Sequence, residues 1–567
     1  MARRRWLAAL LVLSLALVPL RTAAQAPPAA PVALAALYPA DTLGYFELQL
    51  RPGDDQGPRL ERLLRVLANQ APDEEPWAWV QLLPRVARAL AVGLWLRGDD
   101  VGVVAALAAD DPGALLGLLT RFQAGGAPAE PYGDVPIVGL SRSGMGYAAA
   151  VGGYLLAAND RAALTATIDR VRAGAAAGPG LGGADRYRAA TERLPASRFV
   201  TGYLDGPGLA GWIDTLQDRA AATALDVPAG AAPSDAAPGT APAPRERLPS
   251  ARPGGITLDG LAGSAGLLGT FSRVFAVGAP DLPEELDRLR AGSLALAVTA
   301  APAGLRLVAE TPAAWETRSL PASAAAALRF VPPNALLAVA GNNLAASARP
   351  TLEELPPSLT EALPPGLDLQ ADVLAWMDGE YGIALLPSPP GRAGPLAHFP
   401  EVIVLFEVRD PPAVEGKLRS LVRVLASAAD RPGFEPVEER QGDVLVRRLP
   451  FGQGFNLTWG YLGRWLFLTS GAPGTLVQAS AANGLPASPA YTRLARALPS
   501  PNVGVYYADA AELARWLGAL VGDRFPLNAP GGDRWRELVD LLGDVAGTTG
   551  LARDGWIESA AVLELRW

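Results

Sequence analysis

Residues 194–216 read LPASRFVTGYLDGPGLAGWIDTL, and residues 498–520 read LPSPNVGVYYADAAELARWLGAL. At a constant offset of 304 the two align without a gap, matching Leu194 with Leu498, Pro195 with Pro499, Tyr203 with Tyr507, Asp205 with Asp509, Leu209 with Leu513, Ala210 with Ala514, Trp212 with Trp516 and Leu216 with Leu520. Tyr187 and Tyr491 keep that offset just upstream. Self-similarity at a fixed period marks a repeated structural unit, so the chain reads as two tandem homologous halves.

The same correspondence extends outward from this pair. VGVVAALAADDPGALLGLLTRF from Val101 answers EVIVLFEVRDPPAVEGKLRSLVRVL from Glu401: in each, a strand-like run meets Asp-Pro and then a helical pattern. YPADTLGYFELQL from Tyr38 answers VPPNALLAVAGNNL from Val331, and GYLLAANDRAAL from Gly153 answers WLFLTSGAPGTL from Trp465. At the tails, LALAVTAAPAGLRLVAE from Leu294 resembles TTGLARDGWIESAAVLEL from Thr548, but the offset falls there to 251, so the first half holds 53 additional residues. That interval contains residues 228–255, in which Ala, Pro and Gly fill 19 of 28 places without one aromatic residue. Such a composition buries too little apolar surface to offset its ordering entropy, which predicts a disordered insertion at about 225–256.

The strand-like runs at residues 44–50, 101–107, 199–204, 402–408 and 503–507 are short and rich in β-branched or aromatic residues, and many links are too short for a crossover helix. Leu60, Leu63, Leu64 and Leu67 share one helical face, as do Val414, Leu418, Leu421, Val422 and Leu425. The expected class is α+β, each half a mostly antiparallel sheet with helices packed on one face. The expected boundaries are a signal peptide at 1–24, a flexible linker at 25–35, a first half at 36–312, a connector at 313–330 and a second half at 331–567.

The start explains the compartment. MARRRWLAALLVLSLALVPL, followed by the small residues of RTAAQA, has the three-part pattern of a secretory leader cut before Gln25. The run is too short before Pro19 and Arg21 for a membrane span, and no later stretch is long and apolar enough. The expectation is an exported protein, periplasmic or extracellular, with no transmembrane span once the leader is removed. Cleavage there takes away Arg3, Arg4, Arg5 and Arg21 and no acid, moving the net charge from −8 to −12. That sign disfavours nucleic acid as a partner.

Composition narrows the chemistry. The 567 residues include no cysteine, one histidine (His398) and one lysine (Lys417). Thiol nucleophiles, disulfides, thiolate zinc and paired-histidine metal sites are excluded, and no cofactor motif is present. His398 sits in a Pro/Gly-rich loop. Asp111-Pro112, Asp410-Pro411 and Asp509-Ala-Ala-Glu512 read as helix caps, and Asp205 is grouped with them. The acidic pair Asp378 and Glu380 is the remaining candidate for acid–base work. Asp54-Asp55 and Asp99-Asp100 lack the spacing of a calcium loop. The duplicated aromatics Tyr203, Trp212, Tyr507 and Trp516 either line an apolar groove or pack in the core, and Trp212 with Leu209, Ile213 and Leu216 has core spacing. Trp77 and Trp79, beside the acidic PDEE, are candidates for an exposed contact surface.

PADTLGYFELQLRPGDDQGPRLERLL at residues 39–64, Gly379-Glu380 entering YGIALL, and GYLLAAND with the helix after it together resemble a bacterial exported family known as domain of unknown function 3352. In the second half Asn334 replaces Asp41, so that aspartate is not required in both halves. The resemblance implies an envelope protein of unassigned activity and brings no site residues with it. The functional expectation is a non-catalytic exported protein, binding an envelope protein or forming part of the envelope. The alternatives are a carrier of an apolar ligand such as a lipid and, after it, a carboxylate-dependent hydrolase built on Asp378 and Glu380.

Overall fold

The computed structural model describes residues 34–52, 56–69, 85–97, 100–122, 130–140, 146–178, 180–225, 287, 289–302, 304–313, 321–345, 368–388, 399–428, 435–452, 455–521 and 533–566. The expected leader, Trp77, Trp79, His398, Asp54, Asp55, Asp99 and nearly all of the expected Ala/Pro/Gly-rich insertion lie outside the described residues. The chain divides into two compact units, one holding residues up to Asp205 and from Gly292 onward, the other Gly206–Ala291. Both sequence halves therefore contribute to the first unit.

The first unit is built on a twenty-stranded sheet. The first ten strands are β1 (Gly44–Gln49), β2 (Ala87–Arg97), β3 (Asp100–Ala109), β4 (Glu130–Tyr132), β5 (Val135–Gly139), β6 (Tyr147–Val151), β7 (Tyr154–Ala158), β8 (Val200–Leu204), β9 (Leu294–Ala301) and β10 (Gly304–Pro312). The other ten are β11 (Leu337–Asn342), β12 (Glu380–Leu386), β13 (Glu401–Glu407), β14 (Val437–Gln441), β15 (Val444–Gly452), β16 (Phe455–Leu462), β17 (Trp465–Thr469), β18 (Asn502–Asp509), β19 (Leu542–Gly550) and β20 (Trp556–Leu565). Every pairing among the described residues is antiparallel, and in hairpins such as β6–β7 the two-residue link allows nothing else. The spatial order begins β4-β5-β6-β7-β3-β2-β1-β8-β9-β10. It continues β20-β19-β18-β11-β12-β13-β17-β16-β15-β14. Read inward from either end, the order is the same, and the two series meet where β10 pairs with β20 from Gly304 opposite Glu564 to Pro312 opposite Trp556.

Local chemistry sets these elements. Gly152 and Gly153, both at positive φ (55° and 88°), make the two-residue turn between β6 and β7, a backbone that L side chains resist. Asp160 caps the Arg161–Ala173 helix by accepting the Ala163 N–H at 3.1 Å, and Gly174 at φ 53° ends it. Asp111 and Asp410 accept the N–H of Ala114 (2.9 Å) and Ala413 (3.1 Å), each ahead of a helix that begins with proline, as expected.

Helices lie on both faces of the sheet, which corrects the expectation of one covered face. Ala149 and Leu156 pack with Leu164 and Ile168 of the Arg161–Ala173 helix, while their chain neighbours Ala148 and Leu155 pack with Leu115, Leu116 and Leu118 of the Pro112–Phe122 helix. Successive strand side chains point to opposite faces, so the two helices sandwich the same strands. The second half repeats this: Trp465 and Phe467 join Leu476 of the Pro473–Ala481 helix, whereas Leu466 joins Val414, Leu418 and Val422 of the Pro411–Ala428 helix. The cause is visible in β6 (YAAAV), β7 (YLLAA) and β17 (WLFLT), runs that are apolar throughout rather than alternating. The end of the expected connector is also part of a core: Ala327, Leu328 and Phe330 of the Ala326–Phe330 turn are buried with the second-half residues.

Candidate functional site

Tyr203 and Tyr507 are both buried, each at the heart of a polar node. In the first half the Tyr203 hydroxyl donates to Ser293 Oγ at 3.3 Å, and Ser293 Oγ donates to Asp205 Oδ1 at 3.2 Å. Arg186 Nη1 donates to both Asp205 oxygens, at 2.8 and 2.9 Å. Burial pushes the Tyr203 hydroxyl up to about 12. Asp205 is thus a buried acid neutralised by a guanidinium, where the sequence suggested a helix cap. Its partners lie 19 and 88 residues away, beyond the reach of local pattern.

In the second half Tyr507 donates to Asp544 Oδ1 at 2.8 Å, and Asp544 faces Asp509 directly across the β18–β19 pair. Burial, then the nearby Asp509 and Glu564 charges, hold the Asp544 carboxyl above the usual aspartate range, and burial with Asp544 does the same to Tyr507. Asp509 does cap its helix, accepting the Glu512 N–H at 3.0 Å. Glu512 does not complete a capping box; its carboxylate pairs with Arg515. A cleft of about 150 Å³ lies beside this node, lined by Asn334, Leu336, Pro387, Tyr507, Asp509 and Glu512 among others. That is below the usual size of a small-molecule site.

Asp378 and Glu380 have separate partners. Asp378 pairs with Arg409 at 2.6 Å in an exposed contact. The buried Glu380 carboxylate accepts the Ala324 and Ala326 N–H groups (2.5 and 3.0 Å) and the Ser323 hydroxyl (3.2 Å), fixing the start of the Ala326–Phe330 turn. Trp516 is half-buried on the Ala510–Val521 helix. Trp212, Leu209 and Ile213 of the second unit's Gly206–Leu225 helix are likewise half-buried and Leu216 is 39% exposed, so this stripe is not the fully buried core face its spacing suggested. Among the described residues no group of three or more acids or histidines is placed to hold a metal ion.

The feature that sequence reasoning missed is a row of apolar side chains crossing the middle of the sheet on one face. Register places Val298, Leu307, Ala561, Gly547, Tyr506, Val339 and Ile383 on adjacent strands in line. Leu305 lies opposite Leu563 beside it. Apart from buried Gly547, these residues are half-buried, and at one end Val298 and Leu305 pack against Leu60, Phe199, Val200 and Ala300. Tyr506 lies over Gly547, where an added Cβ would sit 1.9 Å from its hydroxyl oxygen. The row stayed hidden because its members come from seven strands and both halves.

Residues 275–521 match the family described as Protein of unknown function (DUF3352), which bears out the resemblance read from the sequence over that span. The span includes Gly379-Glu380 and YGIALL and excludes the head at residues 39–64. No curated protein matches the chain. Among solved structures, crystal form III of TP0453 is similar at 10% identity and a TM-score of 0.25, covering 51% of this chain and 81% of that one. Crystal form IV of the same protein gives 9% identity and a TM-score of 0.28 over 50% and 81%. So shallow a likeness carries no argument. No described helix is long and apolar enough to cross a membrane.

Proposed function

We propose that this chain is an exported, non-catalytic binding protein of the cell envelope whose sheet arose by head-to-tail duplication of a ten-stranded unit. The duplication is supported by the alignment at residues 194–216 and 498–520 and by a strand order that repeats from both ends. Export is supported by the leader-like start and is tested by the intact mass of the mature protein, expected to begin at Gln25.

The observation that carries the binding reading is the half-buried apolar row centred on Leu307, Ala561 and Tyr506, because contiguous apolar surface left partly open marks a contact site. The acids singled out from sequence support it from the other side, since Glu380, Asp205 and Asp509 hold turns, guanidinium or helix ends. Native mass spectrometry of protein purified from its own host tests the reading, with Leu307→Glu as the comparison. The expected result is an envelope protein that co-purifies with the wild type and is lost from the variant; nothing bound to either, or a partner held equally by both, contradicts it.

The same row favours a second reading, a carrier of an apolar ligand such as a lipid. A bound lipid in the native spectrum, lost from Leu307→Glu, would select that reading over a protein partner.

A further inference from the structure

The two halves of the sheet are joined, among the described residues, by the β10–β20 pair. Within it Glu310 stands directly opposite Glu558, two like charges at a position where facing carboxylates repel. Glu310 is only 7% exposed and accepts no hydrogen bond among the described residues. Glu558 is held from β10 by Arg306 Nη2 at 3.2 Å, while the Arg306 Nε is buried without a partner. Above the pair, the Arg193 guanidinium lies 5.4 Å from the ring centre of Trp556, which faces Pro312 on the same strands.

Among the described residues, the charges on the other elements packed here are held elsewhere. β9 presents Ala295, Ala297 and Thr299 on this face, none titratable. On the Asp185–Thr191 helix, which packs against β9 and β10, Arg186 is held by Asp205 and Arg188 by Asp185. On the far side Glu564 is held by Arg493. A metal or amine cation would meet two guanidiniums beside these carboxylates, so the species that relieves their repulsion at least cost is a proton.

We propose that Glu310, facing Glu558, is a proton-operated latch on the seam of the sheet: a proton on Glu310 keeps β10 and β20 closed, and its loss loosens the joint between the halves. Burial first and the facing Glu558 charge second push the Glu310 carboxyl up to about 7, with Arg193 offsetting part of the rise. The folded pKa lies above the unfolded value, so this contribution to stability is full below the ordinary glutamate range and is lost as pH rises to about 7. The latch thus loosens between the ordinary glutamate range and about pH 7 and changes little above it.

Hydrogen exchange of the full chain, corrected for intrinsic rates, tests the latch. Between about pH 5 and about pH 9, protection of residues 304–312 and 556–565 should fall about tenfold or more relative to β1 and β2 in the wild type, and should stay flat and high in Glu310→Gln. A flat wild type overturns the proposal, as does a variant with the wild-type loss. Glu310→Gln mimics the protonated acid, so a variant that fails to fold also counts against it. Carbon-13 NMR of the wild-type glutamates reads the same proton without mutation: a midpoint near 7 supports the latch, and all midpoints in the ordinary carboxylate range contradict it.

Discussion

The nodes around Tyr203 and Tyr507 occupy the same place in the two strand series and solve one problem differently. In the first, the buried acid is Asp205, Arg186 neutralises it, and the opposing position is the neutral Ser293. In the second, an acid stands at both places, Asp509 opposite Asp544. Ala490 stands where the 304-residue offset would put the counterpart of Arg186, and among the described residues the guanidinium paired with Asp509 is that of Arg566, at 3.9 Å. A shared backbone plan therefore fixes where a tyrosine hydroxyl must be satisfied without fixing what satisfies it.

The edges differ in the same way. β4–β5 is tied to the Arg161–Ala173 helix through Arg161 with Glu130, Arg172 with Asp134 and Tyr132 with Asp169. β14–β15 is tied instead to the Pro411–Ala428 helix on the opposite face, where Glu415, Arg419, Glu438 and Arg447 form one network. In both, charge on the outermost hairpin discourages pairing with another sheet.

The largest effect expected from this contrast is at Arg186. Arg186→Ala leaves Asp205 buried with Ser293 as its remaining side-chain donor and should cost about 3 kcal/mol, seen as a lower urea midpoint. The tyrosines come next. Tyr507→Phe removes a donor to a carboxylate and should cost about 2 kcal/mol, whereas Tyr203→Phe removes a donor to a hydroxyl and should cost about 1 kcal/mol. Equal losses in thermal unfolding would erase the distinction between the nodes. Asp111→Ala and Asp410→Ala should match each other at about 1 kcal/mol, since both remove one cap bond. Arg566→Ala should change stability by less than about 0.5 kcal/mol, its pair being long and partly exposed.

What was legible in the sequence follows from range. The strand starting at Gly44, the β-branched run now in β13 and the caps at Asp111, Asp410 and Asp509 announce themselves within a few residues, and the structure places them there. The second covered face is not legible because a continuous apolar strand such as YLLAA does not say which helix takes which side. Asp205 reads as a cap from its neighbours alone because Arg186 and Ser293 are remote in sequence. Glu310 and Glu558 became a pair only through the register of strands 248 residues apart.

The most direct test concerns the seam itself, and the absence of native cysteine makes it clean. Leu307 faces Ala561 across β10 and β20, so the double variant Leu307→Cys with Ala561→Cys should be joined by a short thiol–thiol crosslinker in the folded chain. Leu307→Cys with Leu155→Cys, many strands away, should not. Efficient crosslinking of the first pair alone is the predicted result; failure of the first pair, or equal reaction of both, would contradict a sheet that runs unbroken through the two halves.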